Sequence, residues 1–179
     1  PLTQTGATNP AISPSLSAIA YFSKDDEKPG VWVLPLTSTR LNIFSSTPSV
    51  VLEDTPYVKF SEGLSITWSP DEKQLLIQQN ENNYYLADLT TKTAKSTKEW
   101  AKIIEGWEKT LLKKRLALLE KQEMDNRIKE LAVDTKTLWA PDGKKFLYQV
   151  ENANNEIEYR VYNMEDPLPI GEKIDTLVI

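Results

Sequence analysis

The chain has 179 residues, with 26 acids against 21 bases for a formal net charge of −5, and it contains neither His nor Cys. Those absences remove disulfides, thiol nucleophiles, zinc held by Cys or His, and any Ser-His-Asp arrangement within this sequence. At 40% hydrophobic residues the composition suits a folded chain, and no run of about 18 apolar residues is present that would span a membrane as a helix.

The first ten residues (PLTQTGATNP) are polar and uncharged, unlike the charged-then-apolar layout of a signal peptide, and read as a linker. The start at Pro1 and the strand-like ending Asp175 to Ile179 create the expectation of a piece of a longer chain. Three related segments follow the linker. The clearest pair is Thr67-Trp68-Ser69-Pro70-Asp71-Glu72-Lys73 and Leu138-Trp139-Ala140-Pro141-Asp142-Gly143-Lys144. Each is followed by an apolar strand (Leu75 to Ile77; Phe146 to Tyr148), a polar tip (Gln79 to Asn83; Glu151 to Glu156) and a second strand (Tyr84 to Leu89; Ile157 to Tyr162). A degraded copy lies upstream, with Ser13-Pro14-Ser15, then Ala18 to Phe22, a tip at Ser23 to Gly30, and Val31 to Leu36. Pro fixes φ at the first turn position and Asp can accept from the backbone two residues on, so each segment reads as a strand, a tight turn and an antiparallel hairpin. Trp68 and Trp139, one step before each turn, read as core packers between neighbouring sheets. The distances from Pro14 to Pro70 and from Pro70 to Pro141 exceed the roughly 40–50 residues of a propeller blade, so each interval holds an insertion.

From Thr97 to Leu131 the pattern changes. Trp100, Ile103, Ile104, Trp107, Leu111, Leu112, Leu118 and Leu119 recur at helical steps, with Thr97 as N-cap and Glu99 in the first turn. A second short helix from Met124 to Leu131, or a continuation of the first, is expected. The stripe has two readings. Either it packs on the side of its own blade, or it docks a protein partner through Trp100, Ile104, Trp107 and Leu111. The base cluster Lys113-Lys114-Arg115 reads as a solvated face, and the acidic remainder of the chain argues against nucleic acid.

Trp68-Ser69-Pro70-Asp71 and Trp139-Ala140-Pro141-Asp142-Gly143-Lys144 resemble the blade signature of TolB-like β-propellers, relatives of the WD-type propellers. The arrangement is also similar to propeller regions of uncharacterised bacterial envelope proteins. The first copy departs from the signature, with Ser15 where Asp is usual and no Trp before Pro14. The resemblance implies four-stranded blades around a central axis, an extracytoplasmic or cell-envelope location, and action through protein contacts.

The expected fold is therefore all-β. It is a partial β-propeller over residues 11–179 with about three antiparallel blades, near 11–47, 64–96 and 136–170, and a helical insertion at 97–132 between the second and third. Ile174 to Ile179 reads as the opening of a fourth. No catalytic residue, cofactor or metal is expected. The acidic and amide side chains of the tips (Asp25, Asp26, Glu27, Glu81, Glu151, Glu156 and neighbouring Asn) lack the spaced loop of a calcium site. Asp71 and Asp142 read as turn stabilisers rather than a catalytic pair, and the tryptophans as core packers rather than sugar platforms. The expected function is a non-catalytic scaffold mediating protein–protein or envelope contacts, its partner being a protein or the remaining blades of the same chain. The alternative is a propeller that gates a serine-peptidase-like hydrolase domain encoded elsewhere.

Overall fold

The computed structural model describes residues 6–36, 47–134, 136–140, 142–165 and 173–177. Mostly β, these residues form three antiparallel four-stranded sheets and two helices, and in every sheet the strand order follows the chain order. The chain divides into two compact units, Pro1–Trp107 and Glu108–Ile179.

The first unit holds two sheets. The first sheet comprises β1 (Ala7–Ile12), β2 (Ala18–Ser23), β3 (Gly30–Pro35) and β4 (Ser49–Glu53). β1 begins inside the stretch read as linker, because Ala7 pairs with Ser23 across the ladder. β4 extends this sheet past residue 47, the expected end of the first blade, through the apolar run Val50 to Leu52. Gly30, at φ 156°, starts β3 where only a residue without Cβ fits, since an added Cβ would fall on the Leu52 carbonyl oxygen. The second sheet comprises β5 (Ser65–Trp68), β6 (Gln74–Gln78), β7 (Tyr84–Asp88) and β8 (Thr93–Thr97).

Side chains alternate across each strand, so each sheet offers two faces. Ala20, Phe22 and Val31 of the first sheet meet Ile66, Trp68, Leu75, Ile77 and Ala87 of the second in one core. A 3-10 turn at Phe60–Glu62 closes it, its Phe60 ring set edge-on to Tyr85 at 5.3 Å between centroids. Asp54 fixes that turn by accepting from the Ser61 amide at 2.8 Å and the Ser61 hydroxyl at 2.7 Å.

α1 (Trp100–Glu120) starts in the first unit and ends in the second. Thr97 is the last residue of β8 and lies ahead of the first helical turn; its hydroxyl accepts from the Glu99 amide at 3.1 Å. The second unit continues with α2 (Asn126–Ala132), capped by the Asp125 carboxylate on the Arg127 amide at 2.7 Å. The third sheet follows: β9 (Leu138–Trp139), β10 (Lys145–Glu151), β11 (Ile157–Asn163) and β12 (Ile174–Leu177). Ile174 to Leu177 thus completes the third sheet and does not open a fourth; Ile174 pairs with Tyr162 and Leu177 with Tyr159. Val178 and Ile179 lie outside the described residues, as does Pro141 of the third turn. The core of this unit joins Phe146, Tyr148 and Tyr162 of the sheet to Leu119 of α1 and Ala132 of α2.

The turn after the first strand is the same in all three sheets. Ser13, Ser69 and Ala140 each donate an amide to the residue five positions on (Ala18, Gln74 and Lys145, all 2.9 Å). Each also accepts from the residue three positions on, namely Leu16 at 2.9 Å, Glu72 at 3.0 Å and Gly143 at 2.9 Å. Those three residues share a left-handed φ of 60°, 61° and 70°. The degraded first copy is therefore in register with the other two, Pro14 opposite Pro70 and Ser15 opposite Asp71 and Asp142.

Candidate functional site

The repeated turns and tips engage their own polar groups. Asp71 accepts from the Ser69 hydroxyl at 2.7 Å and the Lys73 amide at 3.2 Å, and Asp142 accepts from the Lys144 amide at 2.9 Å. The Ser69 hydroxyl first, and the Lys73 amide second, hold the Asp71 carboxyl below the usual carboxylate range. Both aspartates act as turn stabilisers here. At the tips, Asp25 accepts from the Glu27 and Lys28 amides, Asn80 from Asn82 and Asn83, and Asn152 from Asn154 and Glu156. Among the described residues no group of three or more acidic side chains is placed to hold a metal ion.

A second shared motif, absent from the expectations above, lies at the end of the third strand. Leu36, Leu89 and Met164 donate amides to Ser17, Lys73 and Lys144, which stand at one position of the first turn. Asp88 supports this corner by accepting from Thr90 at 2.8 Å and Thr91 at 2.9 Å, and Asn163 by accepting from Glu165 at 3.0 Å. The signal was the Asp88 and Asn163 pair at matching repeat positions.

The proposed docking stripe divides. Trp100 lies flat on Tyr84, ring centroids 4.6 Å apart at 13°, and is 37% exposed. With Ile104 it lines a recess of about 230 Å³ on the second sheet, floored by Leu76 and edged by Thr67 and Gln78. Both side chains thus face their own sheet. Trp107 and Leu111 are half-buried, while Leu112, Leu116 and Leu118 carry exposed apolar surface.

A larger cleft, about 720 Å³, lies in the second unit between α2 and the β10–β11 hairpin. Ile128, Leu131, Val150 and Ile174 give it apolar walls, and Arg127 and Arg160 bring two guanidinium groups. Arg160 donates through Nε at 3.2 Å and Nη2 at 2.8 Å to one Glu158 oxygen, while Asn152 donates to the other at 3.1 Å. The Arg160 side chain first, and Asn152 second, hold the Glu158 carboxyl below its ordinary range. In the sequence Arg127 falls within the expected second helix and Arg160 within an expected strand, with nothing local that joins them. The available signal was a charge on the tryptophan-bearing face: Arg160 pairs with Tyr148 where Tyr85 pairs with Ile77 in the second sheet.

The sequence matches no family model and no curated protein. Among solved structures it is similar to TolB from Acinetobacter baumannii, at 18% identity and TM-score 0.38, covering 99% of this chain and 33% of that one. It is also similar to the β-propeller domain of the Trilobed protease from Pyrococcus furiosus (14% identity, TM-score 0.33, 96% of this chain and 43% of that one). A third is the acylaminoacyl peptidase of Pyrococcus horikoshii, at 13% identity and TM-score 0.33, over 97% of this chain and 25% of that one. The chain thus spans about a third of the TolB chain that it matches.

Proposed function

We propose that the chain is a non-catalytic β-propeller scaffold that mediates protein–protein or cell-envelope contacts. The observation that carries this reading is the threefold copying of one sheet and one turn, with Asp71 and Asp142 of the turns and Asp25, Asn80 and Asn152 of the tips engaged by their own backbone. A module built this way holds its loops still and offers surfaces more than reactive groups. In this proposal the contact surface comprises Trp107 and Leu111 with the exposed Leu112, Leu116 and Leu118 of α1, since Trp100 and Ile104 face their own sheet. The envelope location rests on the resemblance of the Trp-Ser-Pro-Asp and Trp-Ala-Pro-Asp-Gly-Lys segments to the TolB-like blade signature.

Affinity capture from an envelope fraction with wild-type protein and Trp107→Asp tests this reading. The variant is expected to keep its Tm and lose the captured partner. Retained capture with a large fall in Tm would show instead that the stripe serves only internal packing.

A further inference from the structure

We propose that Lys92 guards the outer edge of the first sheet, denying β4 to the β4 of a second copy of this chain. Self-association through that edge is a separate matter from partner docking on α1.

β4 stands last in its sheet, with no strand beyond it among the described residues. An edge strand presents backbone N–H and C=O groups with which another chain can pair. This one suits such pairing, because Val50, Val51 and Leu52 form an apolar run with two β-branched members. β4 has no basic residue of its own, and its single charge is Glu53 at one end. Two β4 strands laid antiparallel about Val51 would set Glu53 against Ser49, so no like charges would meet. The last strand of the second sheet, β8, differs here. Its central residue is Lys95, and the same arrangement of two β8 strands would set Lys95 against its twin, which disfavours the pair.

The protection of β4 comes instead from the neighbouring sheet. Lys92, in the turn between β7 and β8, donates from Nζ to the Val50 carbonyl at 3.3 Å. Val50 pairs with Trp32 and Leu52 with Val31, which leaves Val51 bulged between them. The bulge bends the edge, and the ammonium occupies a carbonyl that an incoming N–H would need.

The backbone at Lys92 points the same way. Its φ is 52°, in the left-handed region that Gly and Asn enter more readily than Lys. Asp88 holds the start of this turn by accepting from the Thr90 and Thr91 amides. Turn geometry alone favours Asn or Gly at position 92, so what Lys adds is a long reach and a charge.

Light scattering of the intact chain over a concentration series tests the assignment, with wild type, Lys92→Asn and Lys92→Arg compared. Asn suits the left-handed turn and is too short to reach Val50, so Lys92→Asn should keep its Tm. Its average mass should rise above that of wild type with concentration, toward twice the wild-type value. Amide exchange should slow over residues 49–53 as it does so. Lys92→Arg keeps both reach and charge and should follow wild type. Equal masses for Lys92→Asn and wild type at every concentration would overturn the assignment. So would an equal gain in Lys92→Arg, a gain accompanied by a fallen Tm, or slowed exchange that leaves β4 out.

Discussion

The second and third sheets carry the same tryptophan in the same place and meet it with different neighbours. Trp68 ends β5, is 8% exposed, and donates through Nε1 to the Ala11 carbonyl of the first sheet at 2.9 Å. Trp139 ends β9, lies against Phe146 at 4.9 Å between centroids, and donates to the Ala132 carbonyl of α2 at 2.7 Å. The turn beyond each tryptophan repeats the contrast. Glu72 of the second turn accepts from Ser15 and Ser17 of the first sheet, whereas Leu118 of α1 stands 3.3 Å from the place a Cβ would take on Gly143 of the third. What this face requires is apolar cover and one carbonyl aimed at the indole, and a helix meets that requirement as well as a strand does. The expectation that both tryptophans pack between sheets therefore holds for Trp68, while helical residues cover Trp139 in its own unit.

The comparison breaks first at the rings themselves. Trp68→Ala should cost about 3–5 kcal/mol in urea unfolding, because its cavity opens between two sheets. Trp139→Ala should cost about 2 kcal/mol, since the ring is half-exposed under the Arg115 guanidinium, 5.4 Å away. The opposite ranking would show that helical cover is the tighter of the two.

A smaller loss is expected at the third turn. Gly143→Ala places a Cβ at φ 70° and against Leu118, and should cost about 1–2 kcal/mol. An unchanged unfolding midpoint would mean that α1 does not constrain this turn.

Acid should distinguish the two turns. Partial burial works to raise the Glu72 pKa, but hydrogen bonds from Ser15, Ser17 and Ser13 outweigh it and leave the carboxyl below its ordinary value of 4.5. The unfolded chain then binds the proton more readily, so the contribution is complete above pH 4.5 and is lost as pH falls toward the folded value. Glu72→Gln should flatten that part of the stability profile of the first unit, followed by tryptophan fluorescence between pH 6 and 3. A profile that keeps its slope would remove the link between the two turns.

The smallest effect is expected at Tyr148, which occupies the register position of Ile77. Its ring is fully buried, its hydroxyl makes no well-formed hydrogen bond among the described residues, and burial raises its pKa against a smaller opposing pull from Arg160. Tyr148→Phe should be neutral or stabilising by up to about 1 kcal/mol, because it removes an unsatisfied donor. A clear loss of stability would reveal a partner for that hydroxyl.

What could be read in the sequence was what neighbouring residues decide. The Pro14, Pro70 and Pro141 spacing gave the repeated turn and its hairpin, since φ, side-chain capping and strand alternation act over a few residues. The left-handed turn position is legible only in the third copy, where Gly143 stands in the place of Leu16 and Glu72. β4 and β12 were harder, because short apolar runs such as Val50 to Leu52 gain their identity from the strand they join. The cleft was hidden for a related reason: Arg127 and Arg160 lie in different elements, and only the packing of α2 on the third sheet brings both to its walls.

The unbroken strand order has a consequence for how the molecule is made. Each sheet is finished by the stretch of chain that directly follows its first strand, and among the described residues no later segment is threaded back into it. Contacts of that kind have low contact order and need only modest loop closure. During synthesis, each sheet can close without waiting for any strand of the next.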